Sequence, residues 1–363
     1  MKVLFTIDFI YSENISKAQI DLIVELKNKG IDATVIGRFT ENVKQIFFAN
    51  NIKCIALYPK KSFDFKFIKK VKDILQKEKF DVVQFLNGKT SRNILMAIDK
   101  NDTIKKVSYM GSVSIHWYDP SAYFTYLSPK LDKIICNSNY VFEHVKNQFS
   151  NKHKDKPVMI YKGYDSSWFK DIEAFDFTEL GIPKDAIVVT YVGNHRKVKG
   201  TKYFLESSYH LNSKKEIHYV VIGLNSDAPS LVKIGKKSPV AKNIHFLGVR
   251  DDAVSLIKGS DIYAQTSITE GLGRAISEAM CVAKPIVMTN AGGCTELIDK
   301  NCGIVTPIKD PLSIGKAITK LANNDTLRIE MGENAKQRID TVLSAKNSVD
   351  GYYTLYAELT SKN

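Results

Sequence analysis

The feature that most narrows the fold is an alternation. Short β-rich runs at 3–7, 33–36, 54–57, 81–85, 107–110 and 134–136 are separated by segments of helix length. After a loop-like stretch at 161–185, which holds Gly163, Gly181 and Pro183, a second series follows at 187–192, 219–222, 244–247, 262–265, 285–288 and 303–305. Strands joined by helix-length crossovers pair in parallel, because the crossover returns the chain to the end of the sheet where it began. At 363 residues the chain is too long for one ordinary core of this kind. Two doubly wound α/β domains in tandem are therefore expected, with a hinge between about 160 and 185. Asp310-Pro311 reads as an N-cap followed by proline at the first helical position, and from there the chain reads as helix. Its last segment sets Val349, Tyr352, Tyr353, Tyr356 and Leu359 at helical spacing, an apolar face that needs a partner.

Composition excludes several classes. Hydrophobic residues make up 44% and charged residues 25%, a globular balance, and no run approaches the roughly 18–20 apolar residues of a membrane span. The opening "MKVLFTIDFIYS" is interrupted by Asp8 and has no small-residue cleavage site, so it reads as a buried strand and places the chain in the cytoplasm. Five cysteines without a C-x-x-C pair or a histidine at ligand spacing read as reduced packing residues. A net charge of +13 predicts an anionic partner: nucleotide phosphates, an acidic membrane surface or nucleic acid. One contributor is "KKSFDFKFIKKVKDILQKEK", residues 60–79, where Phe67, Val71, Ile74 and Leu75 share one helical side and lysines occupy the others. Such a helix packs its apolar side on a sheet and still presents lysines to an anionic membrane.

The stretch "SITEGLGRAISEAM", residues 267–280, carries the chemistry. A strand runs into a loop with Ser267, Thr269 and Glu270, and a helix starts around Gly271 to Gly273. Helix starts present unpaired N–H groups and a positive dipole end, and glycines let an anion approach that backbone, which makes a phosphate seat. Glu278 lies five residues past Gly273, about 7.5 Å along a helix and near the step from a diphosphate to its ribose. A dinucleotide fingerprint fails, because Ile276 stands where the third glycine belongs. A P-loop fails as well, since six residues separate Gly193 from Gly200 and no Gly-Lys-Ser/Thr follows.

The run "DIYAQTSITEGLGRAISEAMCVAKPIVMTNAGGCTELI", 261–298, resembles the nucleotide-binding core of glycosyltransferase family 4. It supplies Asp261, Ser267, Glu270-Gly271, Gly273, Glu278-Ala279-Met280, Pro285, Gly292-Gly293 and Glu296 in the family's order. "IYKGYD" (160–165) is similar to the family's turn before its second domain, and "VTYVGNHRKVKG" (189–200) to its basic glycine loop. "NIHFLGVRDD" (243–252) is similar to the strand and loop, here with Val249 and Arg250, that hold the base. The resemblance implies that Glu270 contacts the transferred sugar, that Gly271, Leu272, Gly273 and Arg274 hold the diphosphate, and that Glu278 binds ribose. Lys199 matches the family's lysine. Asn194, beside Gly193, stands at the usual arginine position, and Arg196 is the nearby candidate to reach the same phosphate. Fixed cations there would meet the charge that develops on a departing diphosphate.

The first half matches less well. "DFIYSEN" (8–14) has no glycine-rich turn, Met110 stands where a histidine is usual, and His116 in "GSVSIHWYDP" is the nearby candidate. "KLDKIICNSNYV" (130–141) fits the family's strand and turn. What the resemblance implies is a GT-B fold, two Rossmann-like domains facing across a cleft: an acceptor domain, 1–165, with the C-terminal helix 343–363 crossing back onto it, and a nucleotide-sugar domain, 166–342. The implied reaction is retaining, metal-independent transfer from a nucleoside-diphosphate sugar, with UDP the expected nucleotide, to a saccharide or glycolipid acceptor in surface polysaccharide or lipopolysaccharide assembly. It needs no cofactor beyond that donor, and places the protein in the cytoplasm with peripheral contact on the inner membrane face. A sugar-nucleotide epimerase of the same fold and a non-catalytic nucleotide-sugar-binding subunit stay open as alternatives. For nucleic acid the chain has no recognised motif, and none is expected as a partner.

Overall fold

The structure, a computed structural model, describes residues 1–9, 13–86, 88–99 and 102–361. The glycine-free turn 8–14 after the first strand lies partly outside the described residues, at 10–12. The chain divides into two units, Met1–Gly163 with Ala345–Asn363, and Tyr164–Ser344.

The first unit alternates as the pattern requires: β1 (Lys2–Phe9), α1 (Glu13–Asn28), β2 (Asp32–Phe39), α2 (Glu41–Ala49), β3 (Lys53–Ile55), α3 (Phe65–Glu78), β4 (Val82–Phe85), α4 (Gly88–Ala97), β5 (Lys105–Met110), β6 (Lys133–Cys136), α5 (Asn139–Lys146) and β7 (Pro157–Met159). Its strands form one parallel sheet in the order β3-β2-β1-β4-β5-β6-β7. β7, absent from the expected strands, is three residues long at the sheet's edge and opens on Pro157, where a missing N–H costs no ladder bond. On α3, Phe67, Val71 and Leu75 are buried in the core and Ile74 only partly, while Asp64 caps the helix by accepting from the Phe67 N–H at 3.1 Å.

The second unit runs β8 (Ile187–Val192), α6 (Thr201–Ser207), β9 (Ile217–Ile222), α7 (Pro229–Gly235), β10 (Ile244–Gly248), α8 (Ala253–Gly259), β11 (Ile262–Gln265), α9 (Arg274–Cys281), β12 (Ile286–Thr289), β13 (Gly303–Thr306), α10 (Pro311–Ala322) and α11 (Asp325–Thr341). Its parallel order is β10-β9-β8-β11-β12-β13. In both sheets the order reverses beside the first strand, between β1 and β4 and between β8 and β11. Outside the carboxyl ends of strands flanking such a reversal, an α/β sheet has its natural ligand crevice. Asp310 caps α10 through the Ser313 N–H at 3.0 Å, with Pro311 at the first helical position.

The last helix, α12 (Ala345–Thr360), packs on the first sheet. Val349, Tyr352, Leu355 and Tyr356 join a core with Val3, Phe5 and Val35, and the Tyr356 hydroxyl donates to Gln84 Oε1 at 2.8 Å. Tyr353 is not on that face. It stands one residue, about 100°, from Tyr352, and is exposed with Lys29 Nζ 5.7 Å from its ring centre. All five cysteines are free thiols, and four are buried. Burial pushes the Cys136 and Cys294 thiols up to about 12, so packing is what they contribute. Among the described residues no helix is long and apolar enough to cross a membrane.

Glu78 ties three elements together. Lys2 Nζ, at the start of β1, and Lys53 Nζ, at the start of β3, each donate to it at 2.7 Å from the last turn of α3. These bonds, Lys2 first, hold its carboxyl at about 2, below the ordinary 4.5. A depressed folded-state value stabilises above the unfolded one, and that contribution is lost as pH falls from 4.5 toward 2. Urea unfolding of Glu78→Gln at several pH values should therefore show a flatter pH dependence across that window than the parent chain.

Candidate functional site

At the carboxyl edge of the second sheet, five loops are stitched to one another by hydrogen bonds. The loop after β8 is bound to the turn after β9: Gly193 N–H donates to Ile222 O at 2.8 Å, His195 N–H to Leu224 O at 2.8 Å, and Leu224 N–H to Asn194 Oδ1 at 3.0 Å. The β9 turn is bound in turn to β10, through Gly223 N–H to Gly248 O at 2.7 Å. On the other side, Ile268 N–H donates to Val198 O at 2.7 Å and Thr266 Oγ1 to Gly200 O at 3.0 Å, joining the β8 loop to the β11 loop. Glu270 N–H donates to Ala291 O at 2.7 Å and Gly293 N–H to Glu270 O at 3.1 Å, which adds the β12 loop.

This seam brings together two residues 71 positions apart. Lys199 Nζ donates to Glu270 Oε2 at 2.7 Å, and both side chains are partly buried. A row of hydrogen bonds aims the carboxylate. The Tyr263 hydroxyl donates to Gln265 Oε1 at 2.7 Å, Gln265 Nε2 to Ser267 Oγ at 2.9 Å, and Ser267 Oγ to Glu270 Oε2 at 3.2 Å. Tyr263 is fully buried, and burial pushes its phenol far above the ordinary range, so the row keeps its donor at any working pH. Under the basic loop, the hydroxyl of buried Tyr191 donates to Lys199 O at 2.9 Å and lies 3.0 Å from Thr201 Oγ1. Lys199 is thus held from its backbone and at its charged end.

The glycine turn leads directly into α9. Gly273 is the N-cap residue with φ +96°, and a Cβ there would lie 2.7 Å from Ile276 Cδ1. Among the described residues no side-chain hydrogen bond caps this end of the helix, which carries the positive end of the helix dipole. The helix starts at Arg274, just past the expected Gly271–Gly273 start, because Gly273 holds the left-handed conformation. Glu278, only 3% exposed, accepts from Arg274 Nη1 at 2.9 Å.

The structure therefore gathers Gly193, Asn194, Lys199, Glu270, Gly271, Leu272, Gly273, Arg274 and Glu278 on one sheet edge. Asn194 spends its side-chain oxygen on the seam. Arg196 is exposed beside the short helical turn Lys197–Lys199. Val249 is exposed on the β10 loop, and Arg250 forms a two-pronged pair with Asp252 at 2.7 and 2.6 Å and lies 5.6 Å from the Phe175 ring. His116 belongs to the other unit, stacked on Tyr118 at 5.0 Å and edge-on to His144 at 5.5 Å. Sequence reasoning missed Tyr191, Tyr263 and Gln265. The last had a readable signal, an amide ending the otherwise apolar strand Ile262–Gln265, where burial demands hydrogen-bond partners.

Residues 173–338 match the family model "Glycosyl transferases group 1". That span holds every loop of the seam. Among curated proteins, the uncharacterized glycosyltransferase MJ1069 of Methanocaldococcus jannaschii is 30% identical over 238 residues, covering 64% of this chain and 60% of that protein. The N-acetyl-alpha-D-glucosaminyl L-malate synthase of Bacillus anthracis is 22% identical over 182 residues, 50% of this chain and 48% of that one. The chain thus spans 60% or less of the length of these two relatives. Among solved structures, a glycosyltransferase from Rickettsia africae ESF-5 has a TM-score of 0.81 at 19% identity, covering 100% of this chain and 99% of that one. Anabaena Alr3699/HepE, solved in complex with UDP, has a TM-score of 0.79 at 18% identity, covering 98% and 100%. At these identities the likeness establishes the GT-B fold.

Two glycines of the second unit, Gly200 in the seam and Gly181 before β8, separate strain from clash. Gly200 has φ +68° and a Cβ there would stand 1.9 Å from Thr266 O, whereas Gly181 has φ +73° with open space around it. Gly181→Ala should cost on the order of 1 kcal/mol, the left-handed penalty alone. Gly200→Ala should cost clearly more, because Thr266 and the seam must move; thermal unfolding of the two variants measures the difference.

Proposed function

We propose that the protein is a retaining glycosyltransferase that moves a sugar from a nucleoside-diphosphate sugar, most simply a UDP-sugar, to a saccharide or lipid-linked saccharide. The observation that carries this reading is the Lys199–Glu270 pair, held beside the glycine turn that opens α9. A cation, a carboxylate and a helix start on one sheet edge fit the three parts of such a donor. Lys199, with Arg196 on the same loop, would face the diphosphate, the amides of Gly271 to Arg274 would seat it, and Glu270 would meet the sugar. Glu278, steadied by Arg274, would accept from the ribose hydroxyls, and the Val249–Arg250 loop would border the base. The family match and the UDP bound in Anabaena Alr3699/HepE support the donor class. The acceptor class has the support of a relative, the N,N'-diacetylbacillosaminyl-diphospho-undecaprenol alpha-1,3-N-acetylgalactosaminyltransferase of Campylobacter jejuni, 31% identical over 140 residues.

In the reaction the bond from the anomeric carbon to the diphosphate oxygen breaks, and its electron pair leaves with the diphosphate. The acceptor hydroxyl adds to the same face of that carbon and passes its proton to a phosphate oxygen. Lys199 lowers the barrier by meeting charge that grows on the leaving group, a role that needs no metal ion. His116 is the first unit's candidate for contact with the sugar or the acceptor.

Incubation with UDP-, GDP- and ADP-sugars, reading nucleoside diphosphate release with and without chelator, tests the proposal. Release from one donor, insensitive to chelator and reduced at least about 100-fold in Lys199→Ala and Glu270→Gln, is the expected result, on the scale of losing one charge-stabilising group. Donor binding with no turnover in the presence of lipid-linked and soluble saccharides would instead make the protein a non-catalytic binding subunit.

A further inference from the structure

A row of three ionisable groups on the second sheet is not used by the proposed reaction. His218, on β9, is 5% exposed, and its Nδ1 lies 3.0 Å from Nε2 of His245 on the neighbouring edge strand β10. Its other nitrogen, Nε2, lies 3.1 Å from Glu216 Oε1, which also accepts from Asn243 Nδ2 at 3.0 Å. A carboxylate only accepts, so the neutral His218 ring carries its proton on Nε2, keeps a lone pair on Nδ1, and takes a hydrogen bond there from His245 Nε2–H. The ring centres are 5.3 Å apart, which is the nitrogen separation lengthened by roughly one ring radius at each end, and the ring planes differ by 20°. The hydrogen bond is therefore close to linear, with room for one proton. A metal ion on that line would need about 2.0–2.1 Å to each nitrogen, and 3.0 Å leaves no place for it.

The pair can take up one proton and keep this geometry, because His218 then donates from both nitrogens, to Glu216 and to His245 Nε2. A second proton sets N–H against N–H, and the link must break. The surroundings offer no relief. His218 shares its face of the sheet with Val220 and Ile222, and the elements packed on that face supply Phe177, Ile182, Val188 and Leu256. Among the described residues Glu216 is the one charged group bonded to the pair. Burial, and after it His218, lower the His245 imidazole below the ordinary 6.5. What the link holds is a weak edge. β10 pairs on one side only, none of its residues is fully buried, and its ladder slips between Phe246 and Gly248. The carbonyl of Gly248 takes the Gly223 N–H that joins β10 to the seam, and Val249 and Arg250 follow directly.

We propose that His218 and His245 position the Val249–Arg250 loop, holding it while one proton lies between them and releasing it when acid adds a second. The consequence for nucleotide rests on the donor site proposed above, whereas the consequence for the loop does not. The sign follows from His245: a lowered folded-state value stabilises above 6.5, and that contribution is lost as pH falls below it. Amide hydrogen exchange, corrected for the intrinsic effect of pH, should show 244–252 protected at about pH 7.5 and released at about pH 5.5. The central strand β8 should stay protected at both, which separates local release from unfolding. His245→Gln keeps an N–H donor for His218 Nδ1 but does not titrate, so it should hold 244–252 at both pH values, and His245→Ala should expose the segment at both. Between the two pH values UDP should lose at least about fivefold more affinity for the parent chain than for His245→Gln, the scale of coupling between sites. The nucleotide's own titration is common to both proteins and cancels. The proposal is overturned if protection of 244–252 in the parent chain does not change with pH, falls equally in His245→Gln, or falls together with that of β8. Failure of UDP to bind at either pH would overturn the donor reading alone, because the exchange measurement needs no nucleotide.

Discussion

Because every strand of the second sheet runs the same way, every loop that leaves a carboxyl end emerges at one edge. Those loops have backbone polar groups that the strands no longer satisfy, and here they satisfy one another, from Gly248 across to Gly293. The seam places Lys199 against Glu270 and sets the glycine turn beside them. It also explains the special backbone of this edge. Gly223 takes φ +139° with no room for a Cβ between it and Gly193 O, and Gly200 abuts Thr266 O. Side chains at these positions would force the loops apart.

The fold was largely legible from periodicity, since buried parallel strands write themselves as short apolar runs between helices. What escaped was short or at an edge. β7 has three residues and a proline, and the helical turns Ser166–Phe169 and Phe177–Leu180 within the interdomain loop are single turns held by aspartate caps, Asp165 and Asp176. Neither leaves a period to detect.

For the site, the glycine turn and both glutamates stood out as a pattern, but their partners did not. Linear order cannot show that the Lys199 ammonium reaches Glu270, that Tyr263 and Gln265 aim it through Ser267, or that Arg274 covers Glu278. Asn194 reads as a lost cation in sequence, yet in three dimensions it is a clasp on Leu224. The lysines of α3 were readable as a charged face, whereas the edge-to-face contact of Phe63 with Phe124 was not, because the two come from segments 61 residues apart.

The central claim is that the edge joining Lys199, Glu270 and the turn Gly271–Gly273 seats a nucleoside diphosphate. Amide hydrogen exchange with and without UDP, set against uridine, tests it most directly. Slowed exchange in 193–200 and 270–276 with UDP, absent with uridine and lost in Lys199→Ala, is the predicted result. Protection confined to other loops, or equal protection by uridine, would contradict it.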